Sequence, residues 1–348
     1  MTAPAPLIVA VNGGSSSLKV AIYGDAVDAP PLHQGRQDGN EAAWLIRWIE
    51  DSAGNDPDCL VGHRVVASRS SPPLEDVTPA LLTELHLATA DDPIPLPSQL
   101  ALIEAIAAAM PRARQFACSD SAFHATIPAA GRHLPIPRAF DDLGLVRHGF
   151  HGLSCASVVN RLRRIHGEKA AGGRLIVAHL GGGSSVTAIH NGRSMDTSMG
   201  FSPDGGVMMA TRPGDLDPGV IFAMQRRLRA SPERLSDVLA FESGLRGRAG
   251  DTGDMRLLVE RETRDPQAAE AIEMFCRSIA RAIAGAATTI GGIDTLVFTG
   301  GVGEHMPAIR TRICNALQFL SPMTIHVIAT EEELMIAELV RQHVATPE

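Results

Sequence analysis

Cysteine is scarce: five residues in 348, at Cys59, Cys118, Cys155, Cys276 and Cys314, with no CxxC pair among them. An odd, scattered set argues against a disulfide framework and reads as reduced thiols in a cytoplasmic protein. A long basic run is missing too, and the formal net charge is −8. That removes the electrostatic footprint of a nucleic-acid partner. No apolar stretch approaches the ~20 residues that span a bilayer, and the opening "MTAPAPLIVAVNGG" has no basic leader region, so neither a membrane partner nor export is expected. The basic clusters at 161–169 and 225–234 read as solvated helix faces more readily than as anion patches. Two familiar nucleotide signatures, G-x-x-x-x-G-K-[ST] and the dinucleotide G-x-G-x-x-G before a helix, are also missing.

What the chain has instead is a repeat. "LIVAVNGGSSSLKVAIYG" begins at Leu7 and "LIVAHLGGGSSVTAIHNG" at Leu175, an offset of 168 residues. At that offset Leu7, Ile8, Val9, Ala10, Gly13, Gly14, Ser16, Ser17 and Gly24 each meet an identical residue. Spacing of this size suggests a duplicated half-molecule rather than a solenoid, and 348 residues suit two domains at roughly 150 residues each.

Each copy reads as a β-hairpin folded around glycines, and "IDTLVFTGG" as a third strand ending in a glycine loop before a helix-compatible segment. Helical periodicity marks residues 40–52, 98–110, 157–166, 220–229 and 268–290 and the tail "EEELMIAELVRQHV". Strands alternating with helices give an α/β class with two sheets. The proline-rich segment 63–97 reads equally as linker or as stiffened loops lining a site.

"NGGSSSLK" offers backbone N–H groups that glycines let a ligand approach, hydroxyl donors and a lysine, a set suited to phosphate oxygens. A tight Asn-Gly hairpin turn accounts for one copy about as well. Two copies and the third loop "TGGVGEH" favour a nucleotide.

The motifs "VNGGSSSLK", "GHRVV", "SDSAFHATIP", "RHGFHGLS", "HLGGGSSVTAIHNGRSMDTSMGFSP", "MMATRPGDLDPG", "VFTGGVGEHMPAIR" and "ATEEELMIA" follow one another from end to end of the chain. In that order they resemble the acetate and propionate kinase family of the actin-like, sugar-kinase ATPase superfamily. The resemblance implies two duplicated ribonuclease-H-like domains around a central nucleotide cleft. Domain I would be residues 1–122 plus 331–348, and domain II residues 123–330. It implies reversible Mg-dependent transfer of the γ-phosphoryl group of ATP to acetate, with Mg2+ or alternatively Mn2+ as the metal, in a homodimer.

Carried over by motif, Asp120, His151 and Arg212 would be catalytic, and Arg64 would hold the substrate carboxylate beside an apolar pocket of Val66, Leu96, Phe150 and Pro203. ATP would be held by Ser15, Ser17, Lys19, His179, Leu180, Gly181, Gly182, Gly183, Asp254, Met255, Arg256, Gly301, Val302, Gly303, Glu304 and His305, and the metal by Asn12 and Glu332. The chain departs from the family pattern at "ASR" after "GHRVV", at Pro97 and Ser98 in "PLPSQ", at Cys155 and at Gly182. Three other readings stay open on sequence: a kinase for propionate or another short acid, a sugar kinase using Asp120 as base, and a non-catalytic ATP-binding module.

Overall fold

A computed structural model describes residues 6–14, 17–27, 29–53, 59–69, 71–93 and 95–345. The first of its two sheets contains β1 (Ile8–Gly13), β2 (Ser17–Tyr23), β3 (His33–Asp38), β4 (Leu60–Val65), β5 (Leu74–Asp76) and β6 (Arg114–Ser119), in the order β3-β2-β1-β4-β6-β5. The second contains β7 (Arg174–Leu180), β8 (Ser184–His190), β9 (Arg193–Thr197), β10 (Thr295–Thr299) and β11 (Thr324–Val327), in the order β11-β10-β7-β8-β9. Strand β1 pairs antiparallel with β2 and parallel with β4, just as β7 pairs with β8 and β10. The β4–β6 and β10–β11 pairs are parallel as well. The duplication seen in the loops therefore extends to the order and direction of five strands in each sheet, β5 of the first having no counterpart in the second.

Contacts divide the chain into two compact units. The first holds Met1–Phe123, Gly152–Ser157 and Glu331–Glu348, and the second His124–His151 and Val158–Thr330. In the first, Ile8 and Ala10 of β1 pack with Ile336 and Val340 of the C-terminal helix Glu332–Ala345. Val9 and Val11 face the other way, onto Leu45 and Ile49 of the helix Ala42–Ala53 and Leu102 and Ile106 of the helix Pro95–Ala109. A strand covered on both faces reads as an unbroken apolar run, which is why "LIVAV" shows no alternation. In the second unit Ile176, Ala178 and Leu180 of β7 share a core with Phe275, Ile279 and Ile283 of the long helix Pro266–Thr289. Asp265 caps that helix, its carboxylate accepting from the backbone N–H of Gln267 and Ala268.

Close approach fixes how the C-terminal helix docks. A Cβ placed on Gly62 of β4 would stand 2.5 Å from Ile336 Cγ2 and 2.9 Å from Val340 Cγ2. Gly62→Ala is therefore expected to cost ~1–3 kcal/mol through overpacking, read as a lower midpoint in urea, because the helix must shift outward.

Where the structure departs from sequence expectation, the reasons are local. Strand β3 carries the polar sequence HQGRQD, mostly exposed at the sheet edge, so no alternation announced it. Segment 63–97 is neither linker nor loop alone: it includes the end of β4, β5 and the helix Pro79–Ala88 with proline at its start. The helix expected from residue 157 begins at Gly152, and the glycine stretch after β10 is itself a short helix, Gly300–His305. Among the described residues no helix is long and apolar enough to cross a membrane.

Candidate active site

Five charged or polar side chains meet where β1, β4 and β6 end beside the start of the C-terminal helix in the first unit. Arg64 donates from Nη2 to Asp120 Oδ2 at 2.8 Å and from Nη1 to Asn12 Oδ1 at 3.3 Å. Its Nη1 also lies 3.7 Å from Glu332 Oε2, at the start of the C-terminal helix. Asn12 Nδ2 donates to Glu332 Oε2 and to Glu333 Oε1, both at 2.7 Å. Burial works against the Arg64 charge, but Asp120 and Glu332 outweigh it and hold the guanidinium above its ordinary pKa. Arg64 Nε is buried without a hydrogen-bond partner among the described residues. Next along β4, burial pushes His63 down to about 4, so the ring is neutral and donates from Nε2 to Gln115 Oε1.

Asp120 is fully buried, and both its carboxylate oxygens are engaged: Oδ1 accepts weakly, at 3.4 Å, from the backbone N–H of Leu153. Its backbone carbonyl also accepts from Gly152 N–H. Two N–H groups in the first turn of the helix Gly152–His166, whose N-cap residue makes no side-chain cap bond, thereby find acceptors on the residue that follows β6.

The second unit assembles a different group. His151 adopts a left-handed backbone, φ 59°, immediately before that helix. Its Nδ1 lies 3.0 Å from Ser185 Oγ, and its ring stacks on His179 with centroids 4.1 Å apart. Arg212 donates from Nη1 to the Pro203 carbonyl at 2.9 Å, with Nε 3.6 Å from Asp204. Burial raises the Asp204 pKa and Arg212 opposes it. Gly183 brings the two together: a Cβ there would lie 3.3 Å from His151 Nε2 and 3.8 Å from Arg212 Nη1.

The glycine loops lie where the hairpins turn. In the first, Gly14 N–H donates to the Ser17 carbonyl, and Lys19 faces Asn12 across the β1–β2 ladder; Ser15 lies outside the described residues. In the second, Gly181 N–H donates to the Gly183 carbonyl, closing the turn after Leu180. Gly300, at φ 77°, stands so near this turn that a Cβ would be 2.7 Å from the Leu180 carbonyl; only glycine fits. Gly301, Val302, Gly303, Glu304 and His305 follow in the short helix, whose Glu304 Oε1 accepts from Gly300 N–H. Asp254 caps the helix Met255–Arg261 and pairs with Arg256, while Met255 is buried.

Of the expected apolar pocket, Val66 and Leu96 are buried in the first unit and Phe150 in the second, where Pro203 is half-buried. A cavity of about 450 Å³ in the second unit, between Arg147, Asp196 and Arg281, includes none of these residues.

The sequence profile of the Acetokinase family matches residues 55–323. An acetate kinase of Rhodopseudomonas palustris (strain TIE-1) is 34% identical over 95% of this chain and 96% of its own length. The solved structure of Porphyromonas gingivalis acetate kinase has 27% identity and a TM-score of 0.83, covering 98% of this chain and 100% of that one. A propionate kinase from Francisella tularensis subsp. tularensis SCHU S4 has 28% identity and a TM-score of 0.85, over 96% and 98%.

The chain belongs to the Acetokinase family.

In this acetokinase the structure also brings in residues to which sequence alone assigns no role. Glu333 shares Asn12 with Glu332, Ser185 holds the His151 ring, and Asp204 sits beside Arg212. Ser185 and Glu333 lie inside quoted motifs, Glu333 in a run of three glutamates, and Asp204 directly follows one, but no spacing rule singled them out. As an acetokinase with two sheets of repeated order, the chain has the actin-like ATPase fold of its solved relatives.

Proposed function

We propose that this chain is a phosphotransferase that moves the γ-phosphoryl group of ATP directly to acetate, giving acetyl phosphate and ADP, and runs in reverse. The observation that carries the reading is the Asn12–Arg64–Asp120–Glu332 cluster, a charged guanidinium held by two acids with Nε left for a ligand. A planar guanidinium suits a carboxylate. Acetate, with a pKa of ~4–5, is already ionised at neutral pH and needs no base to become a nucleophile. Asp120 fits that chemistry because both its oxygens are engaged, so it positions Arg64 rather than removing a proton. A sugar hydroxyl would need such a base, which disfavours the sugar-kinase reading.

One carboxylate oxygen attacks the γ-phosphorus, the bond to the β,γ-bridging oxygen breaks, and ADP leaves with that electron pair. Charge spreads over the three equatorial oxygens of a loose transition state, so positioning and positive charge do most of the work. His151 and Arg212, brought together at Gly183, supply those donors. Ser15, Ser17, Lys19 and residues 179–183 are assigned to the phosphates, Asp254–Arg256 and Gly301–His305 to adenosine. Val66, Leu96, Phe150 and Pro203 are assigned to the methyl group.

The oxygen-only set of Asn12, Glu332 and Glu333 fits a hard cation. Among the described residues no group of three His, Cys, Asp or Glu side chains is arranged to hold a metal alone, so phosphates and water would have to complete the shell. Mg2+, or Mn2+ in its place, held by Asn12 and Glu332 would offset phosphate charge. The division of labour follows domain I, residues 1–122 with 331–348, and domain II, residues 123–330. The helix Pro218–Leu228 exposes Val220, Phe222 and Leu228, apolar surface available to a homodimer. Five cysteines outside any disulfide support a cytoplasmic site of action.

ADP release measured over acetate, propionate, butyrate and glucose tests the acceptor. Acetate should give the highest kcat/KM and propionate less, since one methylene is worth only ~1–3 kcal/mol. Turnover of glucose but of no acid would refute the assignment. Arg64→Ala should raise KM for acetate at least tenfold, roughly the ~1.4 kcal/mol or more of a charge-assisted bond, and change kcat less.

A further inference from the structure

The β1–β4 ladder stops short of the site it supports. Its register runs from Ile8–Leu60 to Val11–His63, and beyond it the two chains carry Asn12 and Gly13 on one side and Arg64, Val65 and Val66 on the other. Besides the bond from Arg64 to Asn12, a side chain from a third element spans the opening. Gln99, on the helix Pro95–Ala109 and 2% exposed, donates from Nε2 to the Gly13 carbonyl at 2.8 Å. Its Oε1 accepts from the Val66 N–H at 2.9 Å. A side-chain amide has the donor and acceptor of a peptide group, so Gln99 supplies by side chain a rung that the backbones do not make.

A neighbouring clamp holds the next peptide. Asn40 donates from Nδ2 to the Gly14 carbonyl at 2.7 Å and to Ser98 Oγ at 3.2 Å, while Ser98 Oγ donates to the Pro95 carbonyl. Two successive carbonyls of the first glycine hairpin are thus fixed by amide side chains, and Gln99, one of the two, and Ser98, which accepts from the other, come from "PLPSQ", a stretch in which this chain departs from the family pattern.

We propose that Gln99 is a positioning residue for phosphoryl transfer, its amide bridging Gly13 and Val66 to set the distance between the first phosphate hairpin and Arg64. The inference rests on the function proposed above. Gln99 touches no reacting atom. It acts by fixing where the nucleotide's phosphates stand relative to the acid, and in-line transfer is steep in that distance.

The test is Gln99→Met in the full-length enzyme with Mg–ATP and acetate, since methionine keeps the length and burial but makes neither bond. We expect kcat to fall on the order of 10- to 100-fold, the loss typical of a displacement near 1 Å, with both KM values within about threefold. Leu85→Ala removes apolar bulk from the core that Leu96 and Leu100 share, without touching the bridge, and should keep kcat within about twofold at a comparable loss of stability. Asn40→Ala, at a half-buried site, should lower kcat/KM for ATP by about tenfold and leave KM for acetate unchanged.

A kcat for Gln99→Met within twofold of an active wild type, or an equal fall in Leu85→Ala, overturns the inference alone. Should Gln99→Met fail to fold, an Asn40→Ala enzyme with wild-type kcat/KM for ATP overturns it instead. No acyl phosphate from the wild type overturns the proposed function, and this inference with it.

Discussion

Arg212→Ala is expected to lower kcat on the order of 10²- to 10³-fold and to leave KM for acetate within about threefold, the range for loss of one preorganised donor. Arg212 is held before any ligand arrives: its side chain is 11% exposed, Nη1 is bonded to the Pro203 carbonyl, and Nε faces Asp204. A cation fixed in that way needs no reorganisation when negative charge moves onto the transferring oxygens. On the proposed function its effect should therefore be larger in the transition state than in the ground state and fall on kcat. Arg212→Lys keeps the charge but loses the planar fork, and should recover only part of the rate. Steady-state kinetics with both substrates varied makes the distinction. If KM for acetate rises while kcat holds, Arg212 binds substrate and its assigned role is wrong.

Asp120→Ala should cost both stability and rate. The carboxylate is fully buried against an Arg64 side chain only 13% exposed, and its removal leaves a buried guanidinium without its nearest counter-charge. Breaking such a pair costs ~3–5 kcal/mol. Part of that loss belongs to the helix Gly152–His166, because Asp120 Oδ1 also accepts from Leu153 N–H. Asp120→Asn separates the contributions: shape and an acceptor remain while the charge goes, so thermal stability should stand between wild type and alanine. Both variants should lose at least ~10-fold in kcat/KM for acetate, because Arg64 loses the partner that aims it. A base role for Asp120 predicts something else, a fall in kcat with KM for acetate intact.

The duplicated architecture was legible because it is written in covered strands. Ile8, Ala10, Val9 and Val11 are buried on both faces of one sheet, and Ile176, Ala178 and Leu180 pack on the core of the other, so both hairpins stood out as apolar runs ending in glycine. Strand β3 was not legible, since a mostly exposed edge sets no alternation in HQGRQD; the one packing demand, at Gly35 where a Cβ would stand 2.5 Å from Trp48 Nε1, leaves no strand pattern. The short helix Gly300–His305 was hidden by glycines that usually break helices; here close packing on the Leu180 carbonyl excludes a side chain at its first residue.

At the site, Arg64 and Asp120 were readable from their motifs, and the structure places them 2.8 Å apart. The bond from Gln99 to Gly13, 86 positions away, was not readable, because a lone glutamine in a helix carries no pattern. Glu333 was missed for a related reason: three consecutive glutamates look alike until the first turn of the C-terminal helix turns two of them toward Asn12.

The central claim is phosphoryl transfer to a short carboxylate, and trapping the product tests it most directly. Purified protein incubated with ATP, Mg2+, acetate and hydroxylamine should accumulate acetyl hydroxamate in proportion to enzyme and to ADP formed, with none when acetate is omitted. ADP formed at the same rate without acetate, and no hydroxamate with it, would contradict the account.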